Sequence, residues 1–150
     1  MAINEIINYS SGEVTSGHSV GLRINFLINS FEVFKDNPII GVGTGDFPIE
    51  YKKINQINSP DTSATTNPHN MYSLIAVQLG LIGLASLLSI FYYQLKFSLN
   101  SSNKFFHNVG ITLPLMFLVM MWSDSYLLGH YTTLMFVFFS SFLYKDFDKY

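Results

Sequence analysis

No cysteine occurs anywhere in the 150 residues, which excludes disulfides and thiolate metal sites. Charge is nearly as scarce. Only 12% of residues are charged, while 49% are hydrophobic and 16% aromatic; a soluble domain carries about a quarter charged residues. Residues 71–95, 109–122 and 126–144 hold no charged side chain at all. Arginine occurs once, at position 23, and the formal net charge of −2 is too small to argue for a nucleic-acid partner. Met1 to Tyr9 has neither the basic start nor the apolar run of a signal peptide.

What is there is a chain in two halves. A helical span needs about 20 apolar residues, so 71–95 and 126–144 qualify directly and the middle block qualifies when Phe105 and Phe106 extend its start. The expectation is an all-α membrane protein with three transmembrane helices, about 71–95, 105–122 and 126–144, and a short cytoplasmic tail. Two spans plus a re-entrant segment is the alternative. Lys96 and Lys104 separate the first two blocks, and Lys145 and Lys149 follow the third. By the positive-inside rule both places are cytoplasmic, which leaves residues 1–70 outside as a largely helical extracytoplasmic loop. A polar stretch of that length with no export signal needs earlier spans to deliver it. The sequence therefore reads as the C-terminal piece of a larger membrane protein, or as a gene begun too late, and the piece alone is expected to be inactive.

Within 1–70, residues 1–17 are polar apart from Ile6-Ile7 and read as the frayed end of a preceding helix followed by a Ser/Gly loop. From Ser19, Leu22, Phe26, Ser30, Val33 and Phe34 are spaced for one helix face, predicting an amphipathic helix on the outer bilayer surface or against other helices. It ends at Asp36-Asn37-Pro38, since proline disfavours helix in the residue before it. Gly41, Gly43 and Gly45 then alternate, which implies backbone that bends sharply or approaches something closely. No Gly-Lys-Ser/Thr follows, so this is no P-loop. Phe47 to Ile54 is expected to be a short helix capped by Asp46 or Thr44, and Asn55 to Thr66 a mobile loop. In the first span, Gly80, Gly83, Ser86 and Ser89 predict close helix packing, and Pro114 predicts a kink in the second. Asp124, in the Ser123-Asp124-Ser125 turn, is read as a cap for the third span. His130, one to two turns into that span, is an intramembrane functional candidate, or a neutral His bonded to a neighbouring helix.

Asn67-Pro68-His69-Asn70 sits where the polar half meets the apolar half. Asn67 as cap and Pro68 at the first position would put His69 in the first turn of the first span. There the helix dipole disfavours imidazolium and keeps a base-competent neutral ring. An incidental interfacial histidine is the plainer reading of those four residues alone.

Taken in order, Gly21-Leu22-Arg23, the amphipathic helix, Asn37 to Phe47, Asn67-Pro68-His69-Asn70 and Leu79-Gly80-Leu81-Ile82-Gly83-Leu84 resemble the O-antigen ligase and Wzy polymerase C-terminal family. These are polytopic bacterial membrane glycosyltransferases, and the likeness runs from about Gly17 to the end. It implies the C-terminal part of a GT-C-type helical bundle in the cytoplasmic membrane, with N-terminal helices missing. It also implies metal-independent, cofactor-free transfer of a glycan from a polyprenyl-diphosphate carrier to an acceptor hydroxyl, on a lipid-linked acceptor or a growing glycan. By motif position, Arg23 and His69 are the catalytic pair. Arg23 would meet the diphosphate with its fixed fork of donors, and His69 would take the acceptor's proton. Gly43, Gly45, Asn67 and Asn70 are expected beside Arg23 in substrate binding. Ligase and polymerase are not separated. A non-catalytic assembly subunit, or a truncated inactive relative, is the alternative, and it makes Arg23 and His69 dispensable.

Overall fold

A computed structural model describes residues 19–143. The Ser/Gly-rich opening of residues 1–17 and the tail with Lys145 and Lys149 lie outside the described residues, as does the expected end of the third span at 144. Within them all regular structure is helical: α1 (Ser19–Asp36), α2 (Phe47–Asn58), α3 (Met71–Leu99), α4 (Lys104–Ser123), a 3-10 turn (Tyr126–Leu128) and α5 (His130–Leu143). Two of these, α3 and α4, are long and apolar enough to cross a membrane. They form the main helix pair. At one end of it the Tyr72 hydroxyl donates to the Leu118 carbonyl, and at the other His107 Nδ1 lies 3.0 Å from the Ser98 carbonyl. The third apolar block does not start as an α-helix at Tyr126. The 3-10 turn comes first, and the Thr132 and Thr133 hydroxyls donate to the carbonyls of Tyr126 and Leu127. His130 is therefore the exposed first residue of α5 rather than a group one or two turns inside it.

The outer unit is α1 and α2 against the first part of α3. Along α1 the buried positions are Asn25, Asn29, Ser30 and Val33, whereas Leu27, Ile28 and Phe31 face out. A buried stripe this polar calls for hydrogen bonds; Ser30 Oγ finds none among the described residues, whereas Asn29 finds several. Its amide donates toward Tyr51 Oη, Asn55 Oδ1 and Ser59 Oγ, and it accepts from Asn58 Nδ2. Asn55 in turn donates 2.8 Å to the Thr62 carbonyl. This network corrects the expected mobile loop: α2 runs on to Asn58, and the segment after it is pinned at Ser59 and Thr62.

The largest departure from expectation is in α3. At Gly80 the backbone (φ 64°, ψ −161°) is not helical. The carbonyls of Val77 and Gln78, which would accept from Leu81 and Ile82 in a continuous helix, accept instead from Val42 (2.9 Å) and Gly43 (3.0 Å). Leu81 N–H and Ile82 N–H donate to the carbonyls of Pro38 (2.9 Å) and Ile39 (3.3 Å). The glycine loop thus enters the helix and caps both faces of the break. Only bare backbone fits there. A Cβ on Gly41 would lie 2.5 Å from the Gln78 carbonyl oxygen, and one on Gly80 would lie 2.6 Å from Ile40 N. The close approach expected of Gly41 is borne out. Gly80, expected to admit another helix, admits a loop.

The break changes the direction of the helix. A straight helix would carry residues 72 and 91 about 28 Å apart. Instead Tyr72 bonds Leu118 of α4, while Phe91 packs at 5.3 Å on Phe136 of α5, whose ring is 4.9 Å from Phe117, the residue before Leu118. Pro114, where a kink was expected, lies buried inside α4, which continues through it.

Candidate functional site

The cap of α3 is Asn70, not Asn67. Asn70 has an extended backbone (φ −156°, ψ 117°), accepts from Ser73 N–H at 2.9 Å and donates 2.8 Å to the Trp122 carbonyl. One side chain thus starts α3 and ties it to the last turn of α4. His69 consequently precedes the helix instead of occupying its first turn, and the dipole argument does not govern it. Its φ of 52° is in the left-handed region, uncommon for a residue with a side chain. Asn67 holds it there: Asn67 Oδ1 accepts from His69 N–H (3.0 Å) and from the Ser125 hydroxyl (2.7 Å). Both asparagines expected to bind substrate spend these groups on positioning His69.

The left-handed turn aims the imidazole at Asp124. His69 Nδ1 lies 3.1 Å from Asp124 Oδ1. An ionised carboxylate can only accept, so Nδ1 is the donor, and in the neutral tautomer that this selects, Nε2 keeps its lone pair. Asp124 also accepts from Ser125 N–H at 2.7 Å. The side chains of His69 and Asp124 are 39% and 38% exposed, so the pair is reachable from solvent. Asp124 was expected to cap the third span. It sits instead at the C-terminal end of α4 and orients a histidine 55 residues earlier. The signal for this was present: Asp124 is the only acidic residue between Asp61 and Asp146.

The imidazole is backed by an aromatic wall. Phe26 of α1 stacks on His69 with ring centres 6.0 Å apart, and Phe26 meets the buried Tyr51 edge-on at 6.2 Å. Burial raises the Tyr51 phenol above its ordinary value, with the Asn29 hydrogen bond opposing. Arg23 is exposed, one turn before Phe26 on α1, and residues three apart on a helix are surface neighbours. No hydrogen bond or ion pair holds its guanidinium among the described residues, and its place one turn from Phe26 puts Arg23 on the face of α1 that carries the His69 wall. Gly43 is bonded farther along α3: it gives its N–H to Gln78, which lies about 12 Å of helix axis beyond Asn70. Gly45 has open space where a Cβ would be. Lys53 is paired with Glu50 at 2.6 Å on the surface. No group of three or more His, Asp or Glu side chains able to hold a metal occurs among the described residues.

The arrangement is a histidine oriented by a carboxylate at the end of two apolar helices, stacked on Phe26, with Arg23, unpaired among the described residues, one helical turn before that Phe. Such a unit can take a proton from a hydroxyl beside a bound anion. A family model described as O-antigen ligase matches residues 1–88, more than half of the chain. The matched stretch includes α1, α2 and the break in α3 but stops short of Asp124. No curated protein matches the chain.

Proposed function

The chain belongs to the O-antigen ligase family, bacterial membrane proteins of polysaccharide biosynthesis, and from that premise we propose that it transfers a glycan from a polyprenyl-diphosphate carrier to an acceptor hydroxyl. The observation that carries this is the His69–Asp124 pair at the membrane-helix ends. His69 Nε2 accepts the acceptor's hydroxyl proton while that oxygen forms a bond to the anomeric carbon. The bond from that carbon to the carrier phosphate breaks, and its electron pair leaves on the diphosphate. Asp124 fixes the tautomer and stabilises the imidazolium that forms. Arg23, always protonated and able to bond two oxygens at once, meets the charge that grows on the leaving group. Gly43 and Gly45 are assigned to shaping the loop, and Asn67 and Asn70 to holding His69.

The scaffold is assigned to the GT-C type in the cytoplasmic membrane, with the His69 end of the helix pair outside, where Lys96 and Lys104 mark the cytoplasmic end. The α5 segment is assigned as a third span. The test is transfer activity in protein expressed from its native locus, with membrane level measured beside it. His69→Ala is expected to abolish product at unchanged protein level, and Arg23→Lys to impair it clearly, since a point charge does not replace a bidentate fork. Normal product from the His69→Ala protein removes the mechanism.

A further inference from the structure

A pocket of about 330 Å³ opens between the end of α1, the start of the glycine loop and the flank of α2. It shares no lining residue with the His69 site. Its apolar part is Val33, Val42 and Ile54 with the Gly41 backbone; its polar part is Asp36, Asn37, Glu50 and Lys53. The floor is rigid, because Val42 N–H is bonded to the Val77 carbonyl and Gly41 N–H to the Asn37 carbonyl. Two carboxylates face one ammonium, and that ammonium already pairs with Glu50 at 2.6 Å. Such a rim repels a diphosphate and suits a neutral ligand rich in hydroxyls.

A pyranose ring has that chemistry, with a C–H face for an apolar floor and hydroxyls around its edge for carboxylate and amide partners. The volume, at the lower end of small-ligand pockets, suits one or two sugar units. We infer that this pocket is a glycan subsite, holding a neutral sugar of the transferred or accepting chain away from the bond that reacts. Its link to transfer rests on the proposed function; its chemistry as a sugar site does not. The subsite would make chain length and sugar identity matter for affinity while leaving the proton transfer at His69 untouched.

The experiment uses the natural membrane protein in nanodiscs with two probes: the oligosaccharide repeat released by mild acid from the cell's carrier-linked glycan, and inorganic pyrophosphate. The double variant Asp36→Ala/Asn37→Ala, both positions being exposed, is expected to bind the oligosaccharide at least about tenfold more weakly, with pyrophosphate binding unchanged. In the transfer assay it raises KM and spares kcat. Glu50→Gln/Lys53→Gln, on the opposite wall, is expected to act the same way and decides the matter if the first variant unfolds. Wild-type oligosaccharide affinity in both variants overturns the subsite, as does a wild-type protein that binds no oligosaccharide. If His69→Ala keeps full transfer while the pocket variants lose oligosaccharide binding, the transfer mechanism fails and the subsite stands.

Discussion

Replacing Gly80 by alanine should straighten α3. The Gly80 conformation, φ 64° and ψ −161°, belongs to a region that only glycine occupies freely, and another residue there costs on the order of 1–3 kcal/mol. In a continuous helix, alanine is favoured over glycine by about 1 kcal/mol. The substitution therefore moves the balance by about 2–4 kcal/mol toward a straight helix, before the contact of the new Cβ with Ile40 N is counted. Against this stand the four backbone bonds between loop and helix. A straight α3 recovers two of them internally, Leu81 to Val77 and Ile82 to Gln78, so the net loss is about 2 kcal/mol at about 1 kcal/mol per bond. The loop is expected to lose. Because the sequence has no cysteine, spin labels at Ser73→Cys and Tyr92→Cys report the spacing of the two helix halves without background. In the Gly80→Ala protein that spacing should lengthen to about 28 Å, the rise of 19 helical residues. Transfer should fail with it, because a straight α3 cannot keep its first half on Leu118 through Tyr72 while its far half stays on Phe136 and His107 through Phe91 and Ser98. Wild-type spacing with full activity in that variant would refute the role given to the break.

Asp124→Asn should lower transfer on the order of 10²–10⁴-fold at normal membrane level, since an amide no longer fixes the Nδ1–H tautomer; the rate and its pH profile check this. Asn70→Ala removes the α3 cap and the bond to the Trp122 carbonyl, at about 1 kcal/mol each, so thermal unfolding in detergent should show a loss of about 2 kcal/mol. The raised Tyr51 phenol makes the fold sensitive to alkali: the unfolded chain ionises first, so stability is intact below the ordinary value of 10.0 and falls as pH climbs through it toward the folded value. Tyr51→Phe should remove that component, measured as unfolding between about pH 8 and pH 11.

The helices were legible where periodicity and terminators are local. Ser19 to Asp36 is bounded by the proline at 38, and α4 begins at Lys104 just before the Phe105-Phe106 pair needed to complete it. The loop at 38–45 was legible as backbone in close approach, but not what it approaches, because Gly80 and Gly41 are 39 positions apart and only tertiary structure pairs them. His69 and Arg23 stood out by residue type and order. Asp124 did not, since a lone carboxylate in a turn between two apolar runs has a sufficient local explanation as a cap. The same locality misplaced the α3 cap by three residues. Asn67 and Asn70 both suit a helix start, and only the bond from Asn70 to the Trp122 carbonyl selects between them.

The loop's intrusion into α3 also sets an order of events during synthesis. Residues 38–43 leave the ribosome before residues 77–82, so the insert exists before the helix it will interrupt. A newly made α3 has no partner for its exposed backbone inside the bilayer until that loop reaches it, and unbonded backbone in hydrocarbon costs several kcal/mol per group. An α3 inserted before α1 and α2 pack would enter whole, with Val77 and Gln78 bonded to Leu81 and Ile82, and break when the loop comes alongside. The aromatic wall of the His69 site forms in that same step, because Phe26 reaches His69 only once α1 has packed on α3.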